Sequence, residues 1–208
     1  MGEHATKRDA IKQIWKFTPH DVAASKQLSQ RCNISPIVAR LLMQRGVKSP
    51  DAVESFLRPK LSELRSPSEL PGIDAAVACI MPKVTAGEPI TIYGDYDADG
   101  ITATSILYLC LKQLGANVNY HLPSRMEDGY GLHVDAIEKL AARGRQLIIS
   151  VDCGIAGVDA ARRAKELGIT LIVTDHHTPG AVLPDAEVIV HPGLPGSTYP
   201  FSGLCAQV

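Results

Sequence analysis

The sequence predicts an α/β fold, with a mostly parallel sheet flanked by helices and preceded by a small helical N-terminal segment. The first observation is that short runs of β-branched residues alternate with amphipathic windows from residue 73 onward. Strand-helix-strand units with this spacing are typical of a parallel sheet that helices cover on both faces. The second is that acidic residues directly follow three of the apolar runs. Sites in open parallel sheets assemble at the carboxyl ends of strands.

The first 70 residues predict short helices. Ser35-Pro36 and Ser49-Pro50 each supply an N-cap followed by a proline at the first helical position, and Gly46 lies between them as a stop. This two-helix unit suits either a hairpin that contacts nucleic-acid backbone or a packing module, and the packing module is favoured. The three prolines in 58–72 indicate a linker. We therefore expect a helical segment and linker over 1–70 and an α/β domain over 71–208.

Five strands and three helices are predicted after residue 72. The strands are the apolar, β-branched runs Ile90–Tyr93, Val118–His121, Leu147–Val151, Thr170–Thr174 and Val188–Val190. The helices are amphipathic windows over 102–114, 134–143 and 158–167, each followed by a glycine that can end a helix.

Composition indicates a globular protein in a reducing compartment. The chain has 208 residues, 45% hydrophobic and 21% charged, with no run of 18 apolar residues and no apolar segment after the N-terminal charges. Neither a membrane span nor a signal peptide is predicted, so we expect a cytoplasmic protein with no membrane partner. The five cysteines form no CxxC pair, which argues against a zinc knuckle or a disulfide framework.

Charge is distributed unevenly along the chain. Residues 1–70 carry 12 Lys and Arg against 7 Asp and Glu, whereas residues 71–208 carry 9 against 15. The net charges of the two parts are therefore +5 and −6, although the whole chain carries −1. On the helical segment, a solvated basic face is favoured over a surface that binds polyanions.

The segment YGDYDADGIT, residues 93–102, places Asp95, Asp97 and Asp99 straight after an apolar run. Three carboxylates this close repel one another unless a cation holds them, so a metal site is favoured over a solvated acidic turn. The pattern also fits the first six positions of an EF-hand loop, but Ile106 stands where the bidentate Glu belongs. The loop also follows a predicted strand rather than a helix, so the EF-hand is excluded.

Two further predicted strands end in the same way. Asp152 follows LIISV, and Asp175-His176-His177 follows TLIVT. Taken alone, Asp152 could be an ordinary helix cap and the two histidines a chance pair. Together with the aspartates of 93–102, they predict that three acidic strand ends meet at one edge of the sheet. Carboxylate and imidazole ligands suit Mn²⁺ or Mg²⁺, and the number of candidate ligands suggests two ions. A pair of ions activates water and neutralises charge on a phosphoryl group, so the sequence favours phosphoester hydrolysis.

The loop PSRMEDGYGLH, residues 123–133, is a candidate for binding phosphate. Arg125 offers a planar fork of donors, and Gly129 and Gly131 permit close approach of the backbone. The alternative is a glycine-rich turn with a surface arginine. No GxxxxGK[ST], GxGxxG or GxSxG pattern occurs, so nucleotide kinases, dinucleotide oxidoreductases and serine hydrolases are unsupported.

These motifs resemble a known superfamily. GDYDADGIT, the aspartate of SVDCGI and TDHH are similar in order and spacing to motifs I, II and III of the DHH phosphoesterases. Within that superfamily the resemblance is to the RecJ exonucleases, and it extends to ISPIVARLLMQRGVKSPDAVESFL, LPGIDAAVACI and RMEDGYGL. It implies metal-dependent hydrolysis of single-stranded DNA from the 5′ end to mononucleotides, in recombination and repair. Single-strand-binding protein and a helicase are the further partners implied.

The resemblance also implies roles for individual residues. The metal-site residues would be Asp95, Asp97, Asp99, Asp152 and His176, with Asp152 placed to bridge both ions. His177 would face the scissile phosphate or its leaving oxygen, and together with Asp152 and His176 it forms the implied catalytic set. Asp175 would orient its neighbours, and Arg125 and Gly129 would contact the substrate.

Three departures from the family pattern stand out. No candidate exists for the motif IV aspartate, Cys153 stands where Asn is expected, and HPG at 191–193 replaces NPN. We therefore expect the N-terminal part of a longer enzyme, truncated before motif IV, with little activity of its own. The alternatives are another DHH phosphoesterase, such as a nanoRNase or a cyclic-dinucleotide phosphodiesterase, and a non-catalytic module that binds DNA or a protein partner.

Overall fold

The computed structural model describes residues 18–124, 129, 131–201 and 203–205. It divides into two compact units, Met1–Leu64 and Arg65–Val208, which we call unit 1 and unit 2. Residues 65–70 belong to unit 2, where Leu70 and Ile73 both pack against the same buried core. The division therefore falls within the proline-containing segment 58–72.

Unit 1 contains three short helices, α1 (Val22–Cys32), α2 (Pro36–Gln44) and α3 (Pro50–Leu57). Ser35 and Ser49 cap α2 and α3 as predicted, because each hydroxyl accepts a hydrogen bond from the backbone N–H three residues later. The helices enclose a small core of Leu28, Ala39, Leu42 and Val53. Helix α1, which the sequence analysis did not delimit, supplies Leu28.

Unit 2 is built on five strands, and the fold class predicted from the sequence is confirmed. Strands β1 to β5 are Ile90–Tyr93, Val118–His121, Leu147–Val151, Thr170–Thr174 and Val188–Val190. Their order in the sheet is β2-β1-β3-β4-β5, and every neighbouring pair is parallel. Helices α4 to α7 are Ile73–Thr85, Ala98–Gln113, Val134–Ala142 and Val158–Glu166.

Helices cover the sheet on both faces. One core cluster joins Ala76 of α4 and Leu111 of α5 to strand residues such as Ile92. The other joins α6 and α7 to the opposite face, through residues such as Ile137 and Ala161. Both faces of the central strands are therefore largely apolar, with Thr91 and Ser150 as buried polar exceptions, and the carboxylates appear only where the strands end.

The topology brings the three acidic strand ends together. Strands β1, β3 and β4 are adjacent and parallel, and Val151 of β3 pairs with Thr174 of β4. Asp95, Asp152 and Asp175 therefore leave the same edge of the sheet next to one another. In the part of the chain that the structure describes, no helix is both long enough and apolar enough to cross a membrane.

Candidate metal centre

Asp95 lies just beyond β1 and is buried. One oxygen, Oδ1, accepts a hydrogen bond of 2.7 Å from the N–H of Tyr96. The other, Oδ2, is buried without a hydrogen-bond partner among the described residues. Burial raises the pKa of this carboxyl, and the nearby charge of Asp97 adds to the rise, although the Tyr96 hydrogen bond opposes it. A buried carboxylate with an unsatisfied oxygen is the arrangement that a cation would relieve.

Asp97 and Asp99 lie at the start of α5. Asp97 is the N-cap, and its Oδ1 accepts a hydrogen bond of 3.0 Å from the N–H of Gly100. This cap starts the helix at Ala98, four residues before the apolar window predicted from the sequence. Asp99, in the first turn, points an oxygen to within 3.4 Å of His176 Nε2. The helix thus orients two of the three motif I carboxylates.

Asp152 lies at the centre of the site, directly after β3, with only 1% of its side chain exposed. Its φ is +61°, a left-handed conformation that non-glycine residues adopt at some cost and that is frequent at functional sites. Oδ1 lies 3.0 Å from His176 Nε2, whereas Oδ2 is buried without a hydrogen-bond partner in the described part of the chain. Burial, followed by the charges of Asp99 and Asp97, raises the pKa of Asp152 to about 6.

Asp175 has both oxygens occupied by donors from the protein. Oδ1 accepts from the backbone N–H groups of His176 at 2.7 Å and His177 at 3.1 Å, and from His177 Nδ1 at 2.8 Å. Oδ2 accepts from the N–H of Ile155 at 2.9 Å. These bonds orient the two histidines and use the lone pairs with which Asp175 would otherwise coordinate a cation.

The two histidines lie side by side, with ring centroids 4.5 Å apart. His176 presents Nε2 to Asp152 and Asp99, whereas His177 bonds Asp175 through Nδ1 and lies 3.9 Å from Asp152 Oδ1. Burial lowers the pKa of His177, but the hydrogen bond to Asp175 and the surrounding carboxylates outweigh burial, so the net shift is upward. Because Nδ1 carries the proton of that bond, the lone pair of the neutral ring is on Nε2.

The donor set fits divalent metal ions. Asp95, Asp97 and Asp152 each place an oxygen within 4.8 Å of the others, and Asp152, His176 and His177 do the same with one oxygen and two nitrogens. Asp152 belongs to both groups, as a bridging ligand would. Asp99 belongs to neither group, although its oxygen faces His176. Carboxylate and imidazole donors around buried, unsatisfied oxygens suit Mn²⁺ or Mg²⁺.

The candidate substrate loop is described only in part. Arg125 lies outside the described residues. Gly129 and Gly131 both have positive φ, 77° and 96°, which favours glycine at these positions. The hydroxyl of Tyr93, at the end of β1, donates a hydrogen bond of 3.1 Å to the carbonyl of Gly131 and ties the loop to the sheet.

The sequence assigned no role to two residues that support the site, Tyr93 and His191, although HPG at 191–193 stood out as a departure from the family pattern. Each stands at or just beyond the end of an apolar strand, the position that identified the aspartates. His191 follows β5, is 2% exposed and lies with its Nε2 2.7 Å from the carbonyl oxygen of His177. The sequence signal that could have identified both residues is therefore a polar aromatic side chain at the end of an apolar strand.

Comparison with known families gives one extended match. Residues 89–207 match the model described as the DHH family, N-terminal domain. The chain is 43% identical over 195 residues to the single-stranded-DNA-specific exonuclease RecJ of Bacillus subtilis, covering 94% of this chain and 25% of that protein. It is 39% identical over 172 residues to the Escherichia coli protein of the same name, covering 82% and 29%. The chain thus spans a little over a quarter of the length of these relatives.

Solved structures give the same result. A manganese complex of RecJ from Thermus thermophilus covers 92% of this chain and 26% of its own, with a TM-score of 0.66 and 30% identity. A second structure, an exonuclease RecJ bound to manganese, covers 64% of this chain and 34% of its own, with a TM-score of 0.59 and 38% identity.

Proposed function

The chain belongs to the DHH family, and on that premise we propose that it carries much of the catalytic site of a metal-dependent 5′-to-3′ exonuclease that acts on single-stranded DNA. The observation that carries the proposal is the position of Asp152. This buried carboxylate lies within reach of two groups of potential ligands, one from β1 and α5 and one from the end of β4. Similarity to RecJ exonucleases supports the DNA substrate.

The residues that would hold the ions are Asp95, Asp97, Asp99, Asp152 and His176. Bound divalent ions would supply an activated water and neutralise negative charge on the phosphoryl group. Burial of Asp95 and Asp152 excludes water from the carboxylates, which strengthens their attraction for cations. Cys153 is no alternative nucleophile, because it is buried and burial holds the pKa of its thiol well above the usual value.

His177 has the geometry of a group that handles a proton. Its side chain is 42% exposed and its Nδ1 is held by Asp175. In the protonated ring, Nε2 would carry the proton that a leaving oxygen needs, and the raised pKa of His177 extends that form to higher pH. Asp175 would stabilise the charged ring without itself contacting the substrate. Arg125 and Gly129 would bind phosphate and backbone of the DNA.

The wider roles follow from the substrate. A single-stranded DNA substrate suits recombination and repair in the cytoplasm, with single-strand-binding protein and a helicase as partners. The described structure offers no candidate for the motif IV aspartate, and the chain spans about a quarter of its relatives. We therefore expect this chain alone to bind metal but to turn over little DNA.

A chimera tests the catalytic assignment. This chain would replace the aligned 195-residue part of the Bacillus subtilis relative, and Mn²⁺-dependent release of mononucleotides would be followed from 5′-labelled and 3′-labelled single-stranded DNA. We expect degradation from the 5′ end, abolished by Asp152→Asn and unchanged by Asp185→Asn, which alters an exposed carboxylate paired with Lys165. A folded chimera as inactive as its Asp152→Asn variant would refute the proposal.

The same assay separates the alternatives. Preference for di- and trinucleotides over long DNA would indicate a nanoRNase, and cleavage of cyclic dinucleotides would indicate that phosphodiesterase class. For the non-catalytic module, the decisive measurement is calorimetric titration of Mn²⁺ into this chain and its Asp152→Ala variant. Equal heats from the two proteins would favour the module, whereas loss of heat in the variant supports the metal centre.

A further inference from the structure

His191 lies at a junction of three segments of unit 2. It follows β5 directly, and its backbone N–H donates a hydrogen bond of 3.3 Å to the carbonyl of Pro71, just before α4. Its side chain reaches the other way, to the turn that carries the DHH motif, and is 2% exposed. A buried imidazole of this kind needs partners for both ring nitrogens.

Both nitrogens of His191 have partners. Nδ1 accepts a hydrogen bond of 2.9 Å from the N–H of Gly193. An acceptor nitrogen carries no proton, so in this arrangement the ring proton is on Nε2. Nε2 lies 2.7 Å from the carbonyl oxygen of His177 and therefore donates to it. With both nitrogens in use, His191 is unavailable as a metal ligand despite its proximity to the site.

The contact completes the restraint of His177. Asp175 already accepts from the backbone N–H and from Nδ1 of His177. The bond from His191 fixes the carbonyl at the other end of the residue, so its backbone is anchored on both sides. The direction of the His177 ring, 3.9 Å from Asp152 Oδ1, is then set by Asp175 and His191 together.

We infer that His191 is a positioning residue for His177. Its Nε2–H donates a hydrogen bond to the His177 carbonyl. Its Nδ1 accepts from the Gly193 N–H, which keeps the ring proton on Nε2. The role of the ring direction in hydrolysis rests on the proposed function, whereas the restraint itself does not. The two are therefore tested separately.

Two substitutions separate the two hydrogen bonds of His191. In His191→Gln the terminal amide can take the place of Nε2 and still donate to the His177 carbonyl. In His191→Asn the shorter amide can take the place of Nδ1 and accept from Gly193, but it does not reach His177. His191→Ala removes both bonds, and His20→Gln, in exposed unit 1 sequence, is the matched control.

The first readout is the imidazole ¹⁵N spectrum of the metal-free chain, with His177 assigned through His177→Gln. At a pH above the pKa of His177, where the ring is neutral, we expect wild type, His191→Gln and His20→Gln to keep the His177 signal with the proton on Nδ1. In His191→Asn the signal should shift toward averaging of the two tautomers. An unchanged His177 signal in a folded His191→Asn variant would overturn the inference, as would equal loss in the Gln and Asn variants. Should His191→Ala fail to fold, the Gln and Asn comparison still decides.

The second readout is kinetic and uses the chimera. Loss of a residue that orients a site residue typically costs about 10- to 100-fold in activity. We expect His191→Asn to lower kcat by that factor with little change in KM, and His191→Gln to restore most of it. Equal kcat in all three proteins would contradict a positioning role in the reaction. An inactive wild-type chimera would instead count against the proposed function, and the ¹⁵N spectrum would still test the restraint.

Discussion

Asp152 combines deep burial with neighbouring negative charge, and that combination has a measurable energetic consequence. In the metal-free protein its pKa is raised from 3.8 to about 6. A carboxyl whose pKa is higher in the folded than in the unfolded state favours folding when protonated. Its contribution is therefore complete below pH 3.8 and is lost as the pH rises through about 6. Such a shift corresponds to about 3 kcal/mol.

We therefore predict that Asp152→Asn stabilises the metal-free protein at pH 7.5. The gain in free energy of unfolding should approach about 3 kcal/mol and fall to about half of that at pH 5, because Asp152 is then largely protonated. Urea unfolding in EDTA at the two pH values measures it. With excess Mn²⁺ the order should reverse, since ligand binding stabilises only the protein that retains the site. A variant less stable than wild type in EDTA at pH 7.5 would contradict this account.

Substitution of Asp175 should destabilise the protein, in contrast to the substitution of Asp152. The oxygens of Asp175 accept four hydrogen bonds from His176, His177 and Ile155, all in a buried position. Asp175→Asn turns one acceptor into a donor facing an N–H group, so we expect a loss of about 2–3 kcal/mol with or without metal. Asp185→Asn is the control and should leave the unfolding midpoint unchanged, because its partner Lys165 is exposed. Equal effects of the two substitutions on that midpoint would contradict the assignment.

For individual residues, the sequence identified the charged side chains of the site but not all of the residues that hydrogen-bond to them. Asp95, Asp152 and His176 could be predicted to converge because each follows an apolar strand, and parallel strands end at one edge. The contact from His191 to His177 could not, since the two are 14 positions apart and meet only through the order of β4 and β5. The roles of individual ligands stay predictions until metal binding is measured.

The junction between β1 and α5 depends on the absence of a side chain at Gly100. A Cβ at this position would lie 2.6 Å from Asp95 Cβ and 2.7 Å from the Asp95 carbonyl oxygen. The helix can therefore pack against the strand end only if this residue is glycine. The Asp97 cap, which accepts from the Gly100 N–H, starts the helix at the same point.

We predict that Gly100→Ala is destabilising although alanine is the better helix former. Intrinsic propensity would favour Ala by about 1 kcal/mol, but the clash should displace Asp95 and cost about 1–3 kcal/mol. Calorimetric titration should show Mn²⁺ affinity reduced about 10-fold or more, as expected when the support of a ligand is disturbed. Gly180→Ala is the control, since its Cβ would meet only Val182 O at 3.7 Å. Unchanged Mn²⁺ affinity in Gly100→Ala would refute this account of the junction.

Secondary-structure elements whose sequence shows one clear hydrophobic pattern were predicted with correct or nearly correct bounds. Helices α4 and α5, whose patterns are interrupted or begin with polar residues, were not. All five strands have the bounds expected from the sequence. The central strands β1, β3 and β4 show this most directly, because burial on both faces requires continuous apolar runs. Helix α4 was not delimited, since Pro82 interrupts its pattern and no capping side chain marks its start at Gly72. Helix α5 begins earlier than its apolar window because its first turn faces the metal centre rather than the core.

At the scale of the whole molecule, core and charge divide along the same boundary. Each unit has its own apolar core, and all the described candidate ligands belong to unit 2. Residues 65–208 carry 10 Lys and Arg against 16 Asp and Glu. The unit proposed to bind a polyanion is thus acidic on its own. Two divalent ions would offset most of that net charge of −6, and several of the offset carboxylates are those of the site itself.

We therefore predict that residues 65–208, produced alone, bind Mn²⁺ with the same stoichiometry as the whole chain and an affinity within about threefold. This unit has its own core and contains all the described candidate ligands, so it does not need the other unit to bind the ion. Their affinity for a short single-stranded oligonucleotide should rise when Ca²⁺ replaces EDTA at constant ionic strength, since neutralised carboxylates no longer repel phosphate. Calorimetry and fluorescence anisotropy measure the two quantities, and Asp152→Asn should abolish the calcium effect. Loss of Mn²⁺ binding from the isolated unit would show that residues before 65 contribute to the site. A calcium effect that persists in Asp152→Asn would show that the ions act elsewhere on the surface.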